Sequence, residues 1–126
     1  MKNIIINFLL VLLFAQCIFC DTFFISRSGG VNEEYKSMEI DVNTGFYFDQ
    51  SNHKGKVSED DIRTIDNLID SDAFKNIEPK YINQLENNQI YRYAFTSKKI
   101  GVIFDLNANY PKILDPVVLI FEKYSN

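Results

Sequence analysis

Both cysteines of this 126-residue chain, Cys17 and Cys20, fall within its first twenty residues, so whatever folds after them must do so without an internal disulfide. Those twenty residues have the three parts of an export signal. Lys2 gives the positive start, residues 4–14 an apolar stretch broken by Asn7, and residues 15–20 a short run up to the polar Asp21. The apolar stretch is well short of the roughly 20 residues that a membrane-spanning helix needs, and no Lys/Arg cluster follows it. The sequence therefore predicts a signal peptide over 1–20, cleaved after Cys17 or Cys20, and a single domain over 21–126. That domain is expected to be secreted or periplasmic, with no stable membrane span in its mature form.

A disulfide-free remainder of roughly 106 residues can hold one hydrophobic core and is too short for two. Loss of Lys2 and of no acid moves the formal charge from −4 to −5. A net negative chain with no Lys/Arg run is a poor match for nucleic acid, because nothing would replace the phosphate counterions.

Periodicity supplies the elements. Residues 22–28 read as a strand that ends in the turn Ser28-Gly29-Gly30-Val31. Met38, Ile40 and Val42 then alternate with Ser37, Glu39 and Asp41, the period of two of a half-buried antiparallel strand. Asn43-Thr44-Gly45 forms a turn into a short strand, Phe46-Tyr47-Phe48, and residues 50–57 form a loop. Ser58 caps a helix of about twelve residues whose stripe is Ile62, Ile65, Leu68 and Ile69. Ala73 and Phe74 close that helix and tuck beneath it, and residues 78–88 are a polar connector. Tyr91, Tyr93 and Phe95 face a returning strand of Ile100, Val102, Phe104 and Leu106 across a turn at Ser97-Lys98. Asp115 caps a last short helix, with Pro116 at its first helical position. The expected fold is α+β, an antiparallel sheet of four or five strands with two helices on one face, in the order ββ(β)αββα.

No chemistry-bearing constellation stands out. Asp41-Val42-Asn43-Thr44-Gly45 spaces oxygen groups like a calcium loop, but the glycine comes one place early and a hairpin turn accounts for it better. His53 is the single histidine, without the neighbouring Cys or His that a zinc site needs; the same shortage rules out a Cys–His nucleophilic pair and disfavours a Ser–His–Asp triad. Glu59, Asp60 and Asp61 lie in the first turn of a helix, where negative charge is favoured. A hydrolase would need an acidic cleft assembled from Glu39, Asp41 and Asp105. The expectation is a non-enzymatic protein without metal or cofactor, acting as an inhibitor or an interaction module.

Several segments together resemble one family. They are Phe24-Ile25-Ser26-Arg27-Ser28-Gly29-Gly30, Glu39-Ile40-Asp41, Ser58-Glu59-Asp60-Asp61 with the helix to Asp72-Ala73-Phe74, the strands around Tyr91–Phe95 and Gly101–Asp105, and Leu114-Asp115-Pro116. In this series the chain is similar to the emfourin-type proteinaceous inhibitors of thermolysin-like zinc metallopeptidases. It departs from them at Val31-Asn32-Glu33, where the family has an aromatic-Ala-Gly stretch, and in the added Gly45-Phe46-Tyr47-Phe48. The resemblance implies steric inhibition of a thermolysin-like peptidase, or binding of another exported protein. The candidate contact residues are Arg27, Ser28, Gly29, Gly30 and Val31.

Overall fold

Alternation along the second strand decides the layout. A computed structural model describes residues 22–83, 90–97 and 100–125. β1 (Thr22–Gly29) and β2 (Glu34–Asp41) pair antiparallel over their full lengths, from Thr22 opposite Asp41 to Gly29 opposite Glu34. With that register Phe23, Ile25, Met38 and Ile40 all point to one face, and all four are buried. β3 (Phe46–Asp49) extends the sheet beyond β2, and β4 (Lys54–Lys56) extends it beyond β3. On the other side β6 (Tyr91–Thr96) pairs with β1 and β7 (Gly101–Asp105) with β6, bringing Tyr93, Phe95, Val102 and Phe104 onto the same face. β5 (Lys80–Tyr81) closes the row beside β7 and runs parallel to it.

The fold is thus α+β, as expected, but the sheet is larger than the expected four or five antiparallel strands. It has seven strands in the order β4-β3-β2-β1-β6-β7-β5, and one pairing is parallel. The two additions lie in segments read as loop and polar connector. Neither has enough residues to show alternation: β4 is Lys-Gly-Lys and β5 is Lys-Tyr. Backbone pairing makes them strands. Gly55 permits β4 because a Cβ there would lie 2.4 Å from the Tyr47 hydroxyl, so that only glycine lets the Tyr47 ring lie across the edge. Ile103 N–H donates to the Pro79 carbonyl at 2.9 Å and holds the connector against β7. Residues 84–89 of the connector and 98–99 of the β6–β7 turn lie outside the described residues, as does the expected signal segment.

Three α-helices, rather than two, lie on the apolar face of the sheet. α1 (Glu59–Asp70) begins where Ser58 Oγ accepts the Asp61 N–H at 3.2 Å, and its buried residues are Ile65 and Leu68. Ser71 ends it and starts α2 (Asp72–Lys75). The extended backbone of Ser71 breaks the helix, its hydroxyl donates to the Leu68 carbonyl at 2.7 Å, and the same oxygen accepts the Phe74 N–H at 3.2 Å. Phe74 is thereby driven into the core and stacks on Phe95 with ring centroids 5.2 Å apart, whereas Ala73, expected beside it, stays exposed. A 3₁₀ turn (Lys112–Leu114) precedes α3 (Asp115–Tyr124). Asp115 already has helical backbone and does not cap the helix as expected; it accepts the Tyr110 hydroxyl at 2.8 Å instead. Leu106 also departs from its expected place on the inner face: it follows the last residue of β7 and is exposed.

α1 and α3 are tied end to end. Asp61 Oδ2 receives the Tyr124 hydroxyl at 2.6 Å and the Lys123 ammonium at 3.0 Å, and Tyr124 Oη accepts the Ser58 N–H at 3.0 Å. Of the three acids in the first turn of α1, this contact engages Asp61. Among the described residues no helix is long and apolar enough to cross a membrane. The other face of the sheet carries no helix and exposes Tyr35, Phe46 and Phe48.

Phe74 is fully buried in a helix that periodicity alone would join to α1. Phe74→Ala is expected to lower unfolding free energy by about 3–5 kcal/mol, read from urea denaturation; a loss under about 1 kcal/mol would contradict this placement.

Candidate functional site

The β1–β2 hairpin is where the sequence places its contact residues. Pairing runs to Gly29 and Glu34 and leaves four residues, Gly30-Val31-Asn32-Glu33, to turn the chain. The Glu33 N–H donates to the Gly30 carbonyl at 3.2 Å and closes the turn. Gly29, Gly30 and Glu33 have φ of 100°, 79° and 49°, a left-handed backbone that favours glycine at the first two positions. Space gives a second reason for the glycines. A Cβ on Gly29 would lie 2.5 Å from the Ile90 carbonyl oxygen, and one on Gly30 would lie 2.5 Å from the Tyr91 ring. The turn therefore rests directly on the start of β6, a support that fixes its shape.

The structure divides the five candidate residues. Ser28 is exposed and Val31 is 76% exposed, with Asn32 and Glu33 exposed beside it. Gly29 and Gly30 are the packed base of the turn. Arg27 is only 5% exposed and points to the inner face, so its guanidinium supports the turn and is not presented to a partner. That direction follows from β1 itself, since Phe23, Ile25 and Arg27 occupy alternate positions.

Arg27 reaches three elements from beneath the turn. Its guanidinium carbon lies 4.2 Å from the centroid of the Tyr91 ring and 5.7 Å from that of Phe121. Nη1 donates to Glu122 Oε1 on α3, and Nη2 is 3.7 Å from Glu34 Oε2 on β2. The Tyr93 hydroxyl donates to the same Glu122 oxygen at 2.6 Å. Burial pushes the Glu122 carboxyl up, but the hydrogen bonds from Tyr93 and Arg27 and the Arg27 charge outweigh it and leave the carboxyl below its ordinary value. Tyr93 is pushed well above the usual phenol range, by burial first and then by Glu122.

The partners of this cluster, Glu122 and Tyr93, do not appear among the sequence-derived contact residues. An arginine at an inward position of an otherwise apolar strand is the signal for them: a buried guanidinium needs a carboxylate, and chain order alone does not say which.

Beside the turn, on the outer face, Tyr35, Ser28 and Arg92 are cross-strand neighbours in one row. Tyr35 is exposed, while Arg92 is held by Asp105 through Nε at 2.7 Å and Nη2 at 3.3 Å. Asp105 Oδ2 also accepts the Asn83 N–H at 3.0 Å. The acidic trio that a hydrolase would need is thus split. Glu39 and Asp41 line one hollow at the far end of β2, whereas Asp105, on β7, is engaged by Arg92 of β6. The resemblance to a calcium loop resolves as a turn, in which Asp41 Oδ1 accepts the Asn43 and Thr44 N–H groups at 2.9 and 3.4 Å. His53 pairs with Asp49 at 3.1 Å in an exposed loop. Among the described residues no three His, Cys, Asp or Glu side chains cluster as metal ligands would. What the hairpin can do is present an apolar side chain on a stiff, weakly acidic tip.

The lowered carboxyl of Glu122 fixes the sign of a pH effect. Its contribution is complete above the unfolded carboxyl value of 4.5 and is lost as pH falls through the lower folded value. Glu122→Gln should therefore cost about 1.5 kcal/mol at pH 7, the low end for a hydrogen bond to a charged group because the Glu122 side chain is 39% exposed. It should also flatten the loss of stability below the ordinary carboxyl value; urea melts at pH 7 and pH 3 read both, and an unchanged acid slope would count against the pairing. Gly30→Ala forces a Cβ into Tyr91 at positive φ and should destabilise by about 1–3 kcal/mol in the same melts.

Compared with known proteins, the chain matches no family model, no curated protein and no solved structure.

Proposed function

We propose that this is an exported, non-catalytic binding protein that docks the β1–β2 tip into a partner, and that the partner is a peptidase whose cleft the tip blocks. The observation that carries this reading is Val31, the most exposed large apolar side chain among the described residues at 76%, standing on a turn whose glycines are packed against the start of β6. An exposed apolar residue on a mobile loop would lose much of its binding energy to ordering. On a supported turn that loss is small.

The tip holds no His or Cys and only one carboxylate, Glu33, so blocking would be steric and would not require a ligand to the peptidase metal. The thermolysin-like class of target comes from the segments around Arg27-Ser28-Gly29-Gly30. Edge pairing is a weaker route for docking. The outermost strands are Lys-Gly-Lys and Lys-Tyr, short and lysine-bearing, which is how sheets discourage added strands.

A second reading, an interaction module that binds an exported protein other than a peptidase, is favoured by the aromatic side chains on the helix-free face. Inhibition assays against several thermolysin-like peptidases separate the two. Under the first reading micromolar protein suppresses cleavage, and Val31→Asp, which removes no core contact, raises the inhibition constant at least about tenfold with unchanged folding. Full peptidase activity across the series sinks the peptidase reading. A captured partner whose binding survives Val31→Asp would sink the tip as the docking site.

A further inference from the structure

The helix-free face of the sheet has its own concavity, at the end opposite the hairpin tip. The start of β1, the end of β2, β3 and β4 border an open hollow of about 510 Å³. Strand register explains who lines it. Ile40 and Tyr47 are paired and face the core, so their neighbours Glu39, Asp41, Phe46 and Phe48 face outward together. Glu39 lies opposite Phe48, and Phe48 lies opposite Lys54. Phe46 is 61% exposed and Phe48 44%.

Two exposed phenyl rings beside two carboxylates have no structural task that the fold explains. Phe46 and Phe48 make no contribution to the buried core. Glu39 has no ion pair among the described residues, and Asp41 uses only Oδ1 for its turn, leaving Oδ2 without a hydrogen bond there. Aromatic faces attract cations, and carboxylates attract them more strongly. The molecule already displays one such contact on a lining ring, where the Lys56 ammonium is 5.5 Å from the centroid of Phe46.

We infer that this hollow binds an arginine side chain of a basic peptide segment on a partner, its guanidinium stacked on Phe48 and Phe46 and paired with Glu39 and Asp41. Arginine suits it better than lysine because a planar guanidinium can stack on a ring and meet a carboxylate through two N–H groups at once. The acidic charge of the whole chain favours approach of a basic segment. The site is distinct from the hairpin tip. The seven residue steps along β1 from Thr22 to Gly29 separate the two ends by about 23 Å.

The test is a titration of the ¹⁵N-labelled protein with the peptide acetyl-Gly-Arg-Arg-Gly-amide, against the same peptide with citrulline in place of arginine. Citrulline keeps the shape of arginine and removes its charge. Expected are saturable amide shifts centred on Glu39, Asp41, Phe46, Phe48 and Lys54, at least about fivefold weaker for the citrulline peptide and for Glu39→Gln. Phe48→Thr keeps a strand-forming residue and should weaken binding similarly; should it disturb the fold, its amide spectrum will show that and Glu39→Gln alone decides. Val31→Asp should leave the titration unchanged, which separates this site from the tip. Absence of saturation at millimolar peptide, equal response to citrulline, or undiminished affinity in Glu39→Gln would overturn the inference, as would loss of binding in Val31→Asp.

Discussion

A single apolar layer between the sheet and its helices supports everything else in this molecule. The described residues contain no cysteine, so no disulfide ties them to one another, and their stability has to come from burial. The layer is aromatic at its centre. Phe23 and Phe95 have ring centroids 4.0 Å apart, Phe74 stacks on Phe95, and Tyr93 meets Phe104 and Phe121 at 5.6 and 5.8 Å. These rings come from β1, β6, β7, α2 and α3. Segments distant in sequence are therefore held by one contiguous contact network.

At one margin that layer admits a charge. Arg27 continues the inward alternation of Phe23 and Ile25, and the fold resolves the conflict with Glu122, Tyr93 and the faces of Tyr91 and Phe121. A buried ion pair of this kind adds little to net stability compared with apolar packing, yet breaking it leaves an uncompensated charge. Its effect is positional. It links the strand that leads into the hairpin to α3, while the glycine pair seats the turn on Ile90 and Tyr91. The stiffness of the tip is thus a consequence of the core margin beneath it.

Much of this was legible in the sequence wherever a pattern ran for two or more periods. The alternation of Met38, Ile40 and Val42, the stripe Ile62–Ile65–Leu68, and the shared face of Tyr91, Tyr93 and Phe95 all carry over into buried positions or positions packed against the core. Shorter features escaped for a physical reason. Lys54-Gly55-Lys56 and Lys80-Tyr81 are strands because neighbouring backbone pairs with them, and no side-chain period announces that. The break at Ser71 has no periodic signal, since one serine serves both the end of α1 and the start of α2. Of the candidate site, the turn and its exposed Val31 were readable. The inward direction of Arg27 was implicit in its odd-numbered place on β1, but its partner Glu122, 95 residues away, was not.

The same sheet geometry decides which surfaces are left for partners. Its two edges end in short lysine-bearing strands that resist further pairing. One face is covered by helices. What remains is the hairpin tip at one end of β1 and the open face, whose exposed phenyl rings, Phe46 and Phe48, gather at the other end. β1 is the common element: Gly29 sets the base of the tip, Thr22 forms part of the wall of the hollow, and between them the strand is hydrogen-bonded on both sides by β2 and β6. A central strand bonded on both sides is the stiffest spacer a small sheet can offer. Two surfaces at its ends would keep a fixed separation whether they meet one partner or two, and a partner that touches both must match that spacing.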